Sequence, residues 1–224
     1  MIVLLFGPPG CGKGTQTPRI REFLGVPSIA TGAMLRNEIQ AGSRLGRQVK
    51  SLLDAGRYVG DTQMNRMVLR RLSQPDCRNG FLLDGYPRTA SQAQFLDKLI
   101  EKRGWAPPMI VHLEVPERVL VERLSGRSQC ARCQRSYNLY TAPPPQPGMC
   151  VCGARLFERE DDRANVVQSR LRTYLEQTDP VLRHYRQGNL LTVDGDREEE
   201  TVFGEIAGAM EERLMGVRVR RARF

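Results

Sequence analysis

The chain has 224 residues and is basic, with 34 lysines and arginines against 25 aspartates and glutamates, a formal charge of +9. This length suits one substantial core with a small insert, and the lack of any apolar run of about 18 residues excludes a membrane-spanning helix. The charge indicates polyanionic partners, although nucleotides satisfy it as well as nucleic acids do.

A glycine-rich stretch, Gly7–Thr15, follows the apolar run Ile2–Phe6. Its glycines let successive backbone N–H groups face one hollow, and a helix that starts near Lys13 adds the positive end of its dipole. Lys13 can then reach the outer phosphates of a nucleotide, so the pattern predicts a phosphate loop; a glycine-rich turn with a stray lysine is the weaker alternative. The loop starts at residue 7, which leaves no room for a signal peptide, and we expect a cytoplasmic protein.

Pro18 conflicts with the helix that should follow Lys13. A proline beyond the first helical turn costs ~3 kcal/mol or kinks the helix. We therefore expect either a kink or an irregular first turn.

Short apolar runs alternate with longer helical patterns along the rest of the chain. The predicted strands are Ile2–Phe6, Ser28–Ala30, Phe81–Leu83, Met109–Val115 and Leu190–Val193. The predicted helices are Lys13–Leu24, Gly32–Ala41, Arg44–Ala55, Thr62–Leu72, Ala90–Arg103, Glu117–Leu124, Ala164–Arg186 and Glu198–Leu214. This alternation predicts an α/β fold with a doubly wound parallel sheet, which binds ligands at the carboxyl ends of its strands.

The pattern changes between Arg127 and Arg163, where cysteines, glycines and prolines interrupt any helical period. We expect a small lid here. Its four cysteines are Cys130, Cys133, Cys150 and Cys152, and two close pairs joined by a hairpin favour a structural zinc site. A disulfide, an emptied site, or zinc with a substitute ligand such as Glu158 are the alternatives.

Six motifs in register resemble the adenylate kinase family, in its long-lid form with lid cysteines. They are Gly7–Thr15, Thr31–Arg36, Ala55–Val59, Asn79–Thr89, Glu122–Arg127 and Arg159–Asp161, the last followed by Asp162. The resemblance runs from residue 1 to about residue 195. This chain departs from the family in three places: Ala33 stands where a second acid is usual, one residue separates Cys150 from Cys152 where two are usual, and the resemblance does not explain Pro18.

The resemblance implies reversible, magnesium-dependent phosphoryl transfer from ATP to AMP, giving two ADP. It implies a five-stranded P-loop core with helices on both faces (1–29, 60–126 and 164–215), a helical AMP-binding insert (30–59) and a lid (127–163). Residues 216–224, with Arg218, Arg220, Arg221 and Arg223, are predicted to form a frayed basic tail. We expect a monomer that binds neither nucleic acid nor membrane.

The resemblance also assigns the site residues, one by one. Those implied for ATP are Gly10, Cys11, Gly12, Lys13, Gly14, Thr15, Arg123, Arg127, Ser136, Tyr137 and Arg197. Those implied for AMP are Thr31, Gly32, Arg36, Arg57, Val59, Gly85, Arg88, Gln92, Arg159 and Arg170. Those implied for catalysis are Lys13, Arg88, Arg123, Arg159 and Arg170, and Asp84 is expected to hold Mg²⁺ through water.

Spacing and chemistry add to these assignments. Arg123 and Arg127 are four residues apart, which would place both on one face of a helix. Asp161 and Asp162 are expected to pair with arginines. Thr31 and Gln92 favour adenine, since the Gln92 amide offers both a donor and an acceptor. The remaining alternatives are a kinase for UMP or CMP and a zinc-containing nucleic-acid-binding protein.

Overall fold

The computed structural model describes residues 1–133, 135–185 and 190–216. The predicted basic tail beyond residue 216 lies outside these residues, as do the last residue of the predicted helix Ala164–Arg186 and residues 187–189. Within the described part, no helix is both long and apolar enough to cross a membrane.

A five-stranded parallel sheet forms the centre of the molecule, in the order β2-β3-β1-β4-β8. Its strands are β1 (Ile2–Phe6), β2 (Ser28–Ala30), β3 (Phe81–Asp84), β4 (Met109–Glu114) and β8 (Leu190–Asp194). All five residues of β1 are buried, because helices cover both faces of the sheet. Leu4 packs in the core on one side of the sheet, and Val3 and Leu5 pack in a second core on the other.

Nine α-helices occur in the described residues. They are α1 (Lys13–Leu24), α2 (Thr31–Gln40), α3 (Arg44–Asp54), α4 (Asp61–Leu72), α5 (Ala90–Lys102), α6 (Glu117–Ser125), α7 (Ala164–Thr173), α8 (Asp179–Tyr185) and α9 (Glu199–Leu214). A second, antiparallel sheet contains β5 (Arg127–Cys130), β6 (Ser136–Asn138) and β7 (Leu156–Phe157) in the order β6-β5-β7. The predicted fold class is confirmed, and the small sheet includes Cys130, the first of the four lid cysteines.

Helix α1 runs without interruption through Pro18, where a kink or an irregular first turn was expected. Proline removes the N–H that would bond to the Gly14 carbonyl, four residues earlier. Two residues further on, Ile20 is completely buried, and burial of such a side chain is worth ~1.5–3 kcal/mol. Packing of α1 therefore offsets much of the intrinsic cost of the proline.

The predicted helix from residue 164 is divided by a π-helical turn, Tyr174–Thr178, between α7 and α8. Tyr174 and Thr178 are buried, whereas Leu175 is 60% exposed. The turn was not predicted, because the apolar periodicity continues on both sides of it.

Helices α2 and α3 cross closely at Gly46, in the first turn of α3. A Cβ atom at this position would lie 2.1 Å from the carbonyl oxygen of Glu38 and 2.6 Å from the backbone nitrogen of Ile39. Backbone atoms cannot yield as a flexible side chain would, so only glycine fits without separating the two helices.

We predict that Gly46→Ala lowers the free energy of unfolding by ~1–3 kcal/mol, the usual effect of overpacking. Chemical denaturation should measure this loss. Gly208→Ala is the matched control, since Gly208 is also helical and a Cβ there meets nothing within 4 Å; it should be neutral or stabilising by up to ~1 kcal/mol. Equal stability of the two variants would contradict the close crossing.

Candidate active site

The phosphate loop connects β1 to the N-terminus of α1. Gly12 precedes the helix with φ +97°, a conformation that side-chain-bearing residues rarely adopt. The first turn of α1 contains no acidic residue, and no side chain caps it. Its N–H groups and positive dipole end are therefore available to an anion.

Lys13 folds back over this loop. Its Nζ donates to the carbonyl oxygens of Gly7 (2.6 Å) and Pro8 (3.0 Å). The ammonium group thus lies over the hollow that the backbone of residues 7–13 surrounds, where it can exchange a carbonyl for a phosphate oxygen.

The carboxyl ends of β2 and β3 lie beside the strand that leads into this loop. Asp84, the last residue of β3, pairs in register with Leu5 of β1 and Ala30 of β2. Thr31 follows β2, and its hydroxyl donates to the Gly85 carbonyl at 2.8 Å. Topology therefore brings Asp84, Thr31 and the phosphate loop to one edge of the sheet.

A tight turn at Gly85 positions Arg88. Gly85 has φ +74°, and a Cβ atom there would lie 2.7 Å from Nη2 of Arg88. Arg88 donates from Nε to the Gly85 carbonyl at 2.7 Å, and the intervening Tyr86–Pro87 peptide bond is cis. The side chain of Arg88 is thereby held close to the backbone at the end of β3.

Gln92 is 1% exposed, and both ends of its amide are bonded within the protein. Its Oε1 accepts from the Arg88 backbone N–H at 2.8 Å, and its Nε2 donates to Asp61 at 2.8 Å. Asp61 also accepts from the Thr89 hydroxyl. In this conformation Gln92 organises the Arg88 turn, and it keeps at most one N–H for a ligand.

Arginines from three parts of the chain meet around two aspartates. Asp162 accepts from Arg127 Nε at 2.6 Å and from Arg170 Nη1 at 2.7 Å, while Asp161 accepts from Arg159 Nε at 2.8 Å. The Asp162 side chain is only 4% exposed. These contacts, which the sequence led us to expect, tie β5 to the segment that returns from the lid and to α7.

Arg36, in α2, completes this arginine cluster, defined as Arg36, Arg127, Arg159 and Arg170. Burial, followed by repulsion from Arg159, lowers the pKa of Arg36 to about 9, and its Nε is buried without a hydrogen-bond partner among the described residues. Burial likewise lowers the pKa of Arg170 to about 10. Burial opposes ionisation of Asp161, but Arg170 and Arg159 outweigh it and hold its pKa well below the usual range. Four guanidinium groups thus share two carboxylates, and a bound anion would relieve the excess positive charge.

Arg123 lies in the last turn of α6, just before the strand that contains Arg127. It donates to the Gly195 carbonyl at 2.8 Å and to Asp196 at 3.0 Å. The expectation that Arg123 and Arg127 share one helical face is wrong: α6 ends at Ser125 and Arg127 begins β5. Gly126 separates the two elements, and the sequence spacing alone does not reveal this break.

Of the remaining predicted ATP contacts, Tyr137 and Arg197 have side-chain partners within the protein. Ser136 is exposed on β6, while Tyr137 is 8% exposed and its hydroxyl lies 3.3 Å from Cys150 Sγ. Arg197 pairs with Glu205 of α9. The Tyr137 side chain therefore faces the cysteines, and its backbone pairs with Ser128 of β5.

Two of the predicted AMP contacts, Arg57 and Val59, line a cleft, whereas Thr31, Gly32 and Arg36 do not. This cleft is a space of about 750 Å³ between the predicted insert and α7. A Cβ atom at Gly32 would lie 3.3 Å from Nη1 of Arg36. The insert contacts α7 directly, because Ser169 donates to the Ala55 carbonyl at 2.9 Å.

The four lid cysteines form a compact cluster whose Sγ atoms all lie within 4.8 Å of one another. Cys130 and Cys152 are 3.4 Å apart, as are Cys133 and Cys150. The N–H of Cys133 donates to Cys130 Sγ and lowers the pKa of that thiol. The one-residue spacer between Cys150 and Cys152 therefore does not prevent four sulfurs from converging, and the cluster could hold a metal ion.

Sequence reasoning missed Tyr58, Asp61 and Thr178, which contact the Arg88 turn. Tyr58 lies inside Ala55–Val59, one of the motifs on which the resemblance rests, but nothing in the sequence indicated that it contacts Arg88. Thr178 belongs to the unpredicted π-helical turn.

Comparison with known proteins agrees with this geometry. The family model for adenylate kinase matches residues 5–190. An adenylate kinase of Thermosipho melanesiensis is 47% identical over 208 residues, which is 92% of this chain and 97% of the relative. Those of Moorella thermoacetica and Methanosarcina mazei are 44% and 41% identical, each over 94% of this chain and 98% of the relative. The chain therefore belongs to the adenylate kinase family.

Proposed function

We propose that this chain performs the adenylate kinase reaction, the reversible transfer of a phosphoryl group from ATP to AMP, with the donor on the phosphate loop and the acceptor on Arg36 and Arg88. The observation that carries this assignment is the buried Nε of Arg36, which has no hydrogen-bond partner in the part of the chain that the structure describes and lies among guanidinium groups that outnumber their carboxylates. Such a site favours a polyphosphate. The family match does not favour a UMP or CMP kinase or a nucleic-acid-binding protein.

On the acceptor side, two planar guanidinium groups can grip a monophosphate in a fixed orientation. Arg88 is already aimed by its bond to the Gly85 carbonyl, and Arg36 is aimed by α2. The cleft lined by Arg57 and Val59 lies beside the same insert and has room for the rest of the acceptor.

On the donor side, the N–H groups of residues 10–15 would surround the phosphates of ATP and Lys13 would neutralise the outer ones. Arg123 and Arg127 lie at the end of α6 and the start of β5, where they can contact the same nucleotide. Arg127 donates two hydrogen bonds to Asp162, and one of them would be replaced by a bond to a phosphate oxygen.

The chemistry needs no covalent intermediate on the protein. Arg159 and Arg170, together with Lys13 and Arg88, would neutralise the oxygens of the transferred group as its charge spreads in the transition state. Their bonds to Asp161 and Asp162 fix their positions beforehand, so little reorganisation remains at the moment of transfer. A lid that closes over the site would exclude water and so prevent hydrolysis of ATP.

Asp84 fits the role of a magnesium ligand acting through water. Within residues 1–133, 135–185 and 190–216 its carboxylate has no ion-pair partner, and it ends a strand beside the phosphate loop. Bound Mg²⁺ would neutralise charge on the β- and γ-phosphates. Ala33 adds no second carboxylate, so Asp84 would act alone.

The cysteine cluster fits a structural zinc ion. Zinc–sulfur bonds of ~2.3 Å in a tetrahedron place the sulfurs ~3.8 Å apart, and the observed separations of 3.4 Å, with none above 4.8 Å, bracket this value. Four protein ligands leave no position for substrate, so the metal would organise the lid.

Thiolate ligands suit a reducing compartment, which supports a cytoplasmic location. We also propose that the enzyme acts as a monomer, since one chain supplies every group named above.

The substrate assignment predicts that purified protein with Mg-ATP converts labelled AMP to labelled ADP, and UMP or CMP much more slowly. Chromatography of the labelled nucleotides measures this. ATP hydrolysis without labelled ADP would contradict the assignment, as would a preference for a pyrimidine nucleotide.

The role of Lys13 predicts that Lys13→Met keeps the fold but lowers kcat roughly 10²- to 10³-fold, because a donor to the transferred group is lost. Steady-state kinetics and circular dichroism measure the two properties. Lys98→Met, at an exposed lysine of α5, is the control and should leave kcat unchanged. A Lys13→Met enzyme with normal turnover would exclude the proposed role.

The metal assignment predicts about one zinc ion per chain in freshly purified protein, and a marked loss in Cys152→Ser. Elemental analysis measures the stoichiometry. Cys77→Ser, a buried cysteine outside the cluster, should retain the metal. Zinc-free wild-type protein, or full zinc retention by Cys152→Ser, would show that four sulfurs do not ligate zinc.

A further inference from the structure

Tyr58 lies in the segment that joins α3 to α4, and its ring faces the guanidinium group of Arg88. Arg88 Cζ is 4.9 Å from the centroid of this ring, within the range of a cation–π contact. The only hydrogen bond that the Arg88 guanidinium makes to the described residues runs from Nε to the Gly85 carbonyl. The ring therefore holds the guanidinium from a second side without using Nη1 or Nη2.

The Tyr58 hydroxyl reaches the same arginine by a second route. It lies 2.7 Å from Thr178 Oγ1, and the Thr178 hydroxyl donates to the Arg88 carbonyl at 3.2 Å. A threonine hydroxyl has one proton and a carbonyl can only accept, so Thr178 donates to Arg88 and Tyr58 donates to Thr178. One tyrosine thus contacts the side chain of Arg88 directly and its backbone through one intermediary.

The position of Thr178 is fixed by the π-helical turn that it ends. Thr178 is 3% exposed, and the turn begins at Tyr174, whose hydroxyl lies 3.2 Å from Nε2 of His112 in β4. Turns of this kind are frequent at functional sites because they redirect side chains that a regular helix would place elsewhere. Here the turn anchors the hydroxyl chain to the central sheet.

We propose that Tyr58 and Thr178 are positioning residues that orient Arg88 for the acceptor phosphate, and that they couple this orientation to docking of the insert. The proposal rests on the proposed role of Arg88 in AMP binding. Tyr58 belongs to the predicted insert whereas Arg88 and Thr178 belong to the predicted core, so both contacts form only when the insert lies against the core. Arg88 is then held with Nη1 and Nη2 free for phosphate oxygens.

The test compares Tyr58→Leu, Tyr58→Phe, Thr178→Val and Thr178→Ser by AMP binding calorimetry and by steady-state kinetics. Tyr58→Leu, which loses both contacts, should raise the Kd and the KM for AMP about tenfold. Tyr58→Phe and Thr178→Val lose only the hydroxyl chain and should raise both about threefold. Thr178→Ser keeps the hydroxyl and should behave as wild type, and the KM for ATP should stay constant throughout.

Two comparisons separate positioning from general stability. Tyr140→Leu removes a tyrosine that is 65% exposed and should leave AMP binding unchanged. In an Arg88→Ala background, Tyr58→Leu should have little further effect, because Tyr58 acts through Arg88. The isosteric variants Tyr58→Phe and Thr178→Val carry the test if Tyr58→Leu does not fold.

The proposal is overturned if Tyr58→Phe and Thr178→Val bind AMP as wild type does, if the KM values for ATP and AMP rise together, or if Tyr58→Leu weakens AMP binding equally with and without Arg88. Failure of the wild-type protein to bind AMP would instead overturn the proposed function. The two failures are therefore distinguishable.

Discussion

An excess of buried positive charge organises the site. The arginine cluster brings four guanidinium groups to two carboxylates, and burial lowers the pKa values of Arg36 and Arg170 to about 9 and about 10. A guanidinium that is buried and surrounded by like charge destabilises the fold unless a carboxylate or a bound anion compensates it. Asp161 and Asp162 supply part of this compensation, and phosphates would supply the rest. The ion pairs fix the geometry, while the surplus charge would favour a bound anion.

The parallel sheet makes this concentration of charge possible. The carboxyl ends of β1, β2 and β3 meet at one edge, which places the phosphate loop, Thr31 and the Asp84–Arg88 segment side by side although up to about 80 residues separate them in the chain. The arginines then approach from the insert, from β5 and from α7. A site assembled from so many segments depends on how those segments lie against one another, and the contacts of Tyr58 and Ser169 join residues 55–58 to the segment 169–178.

Much of this could be predicted from sequence because it depends on local pattern. The strands are apolar on both faces, which predicts a buried parallel sheet. The glycines and lysine of Gly7–Thr15 predict a phosphate loop, and the cysteine spacing indicates a metal cluster even with one residue missing between Cys150 and Cys152. Local sequence patterns did not predict the features that depend on long-range contacts. Nothing local shows that α6 stops before Arg127, that a π-helical turn interrupts a periodic helix at Tyr174, or that both ends of the Gln92 amide are bonded within the protein.

If donor and acceptor phosphates occupy the two halves of one water-excluding site, the protein must also catalyse the reverse reaction without hydrolysis. Incubation of the protein with Mg-ADP alone, followed by quantitative separation of nucleotides and assay of inorganic phosphate, should yield ATP and AMP in equal amounts and negligible phosphate. Release of inorganic phosphate as the main product, with AMP and ATP formed unequally or not at all, would contradict it.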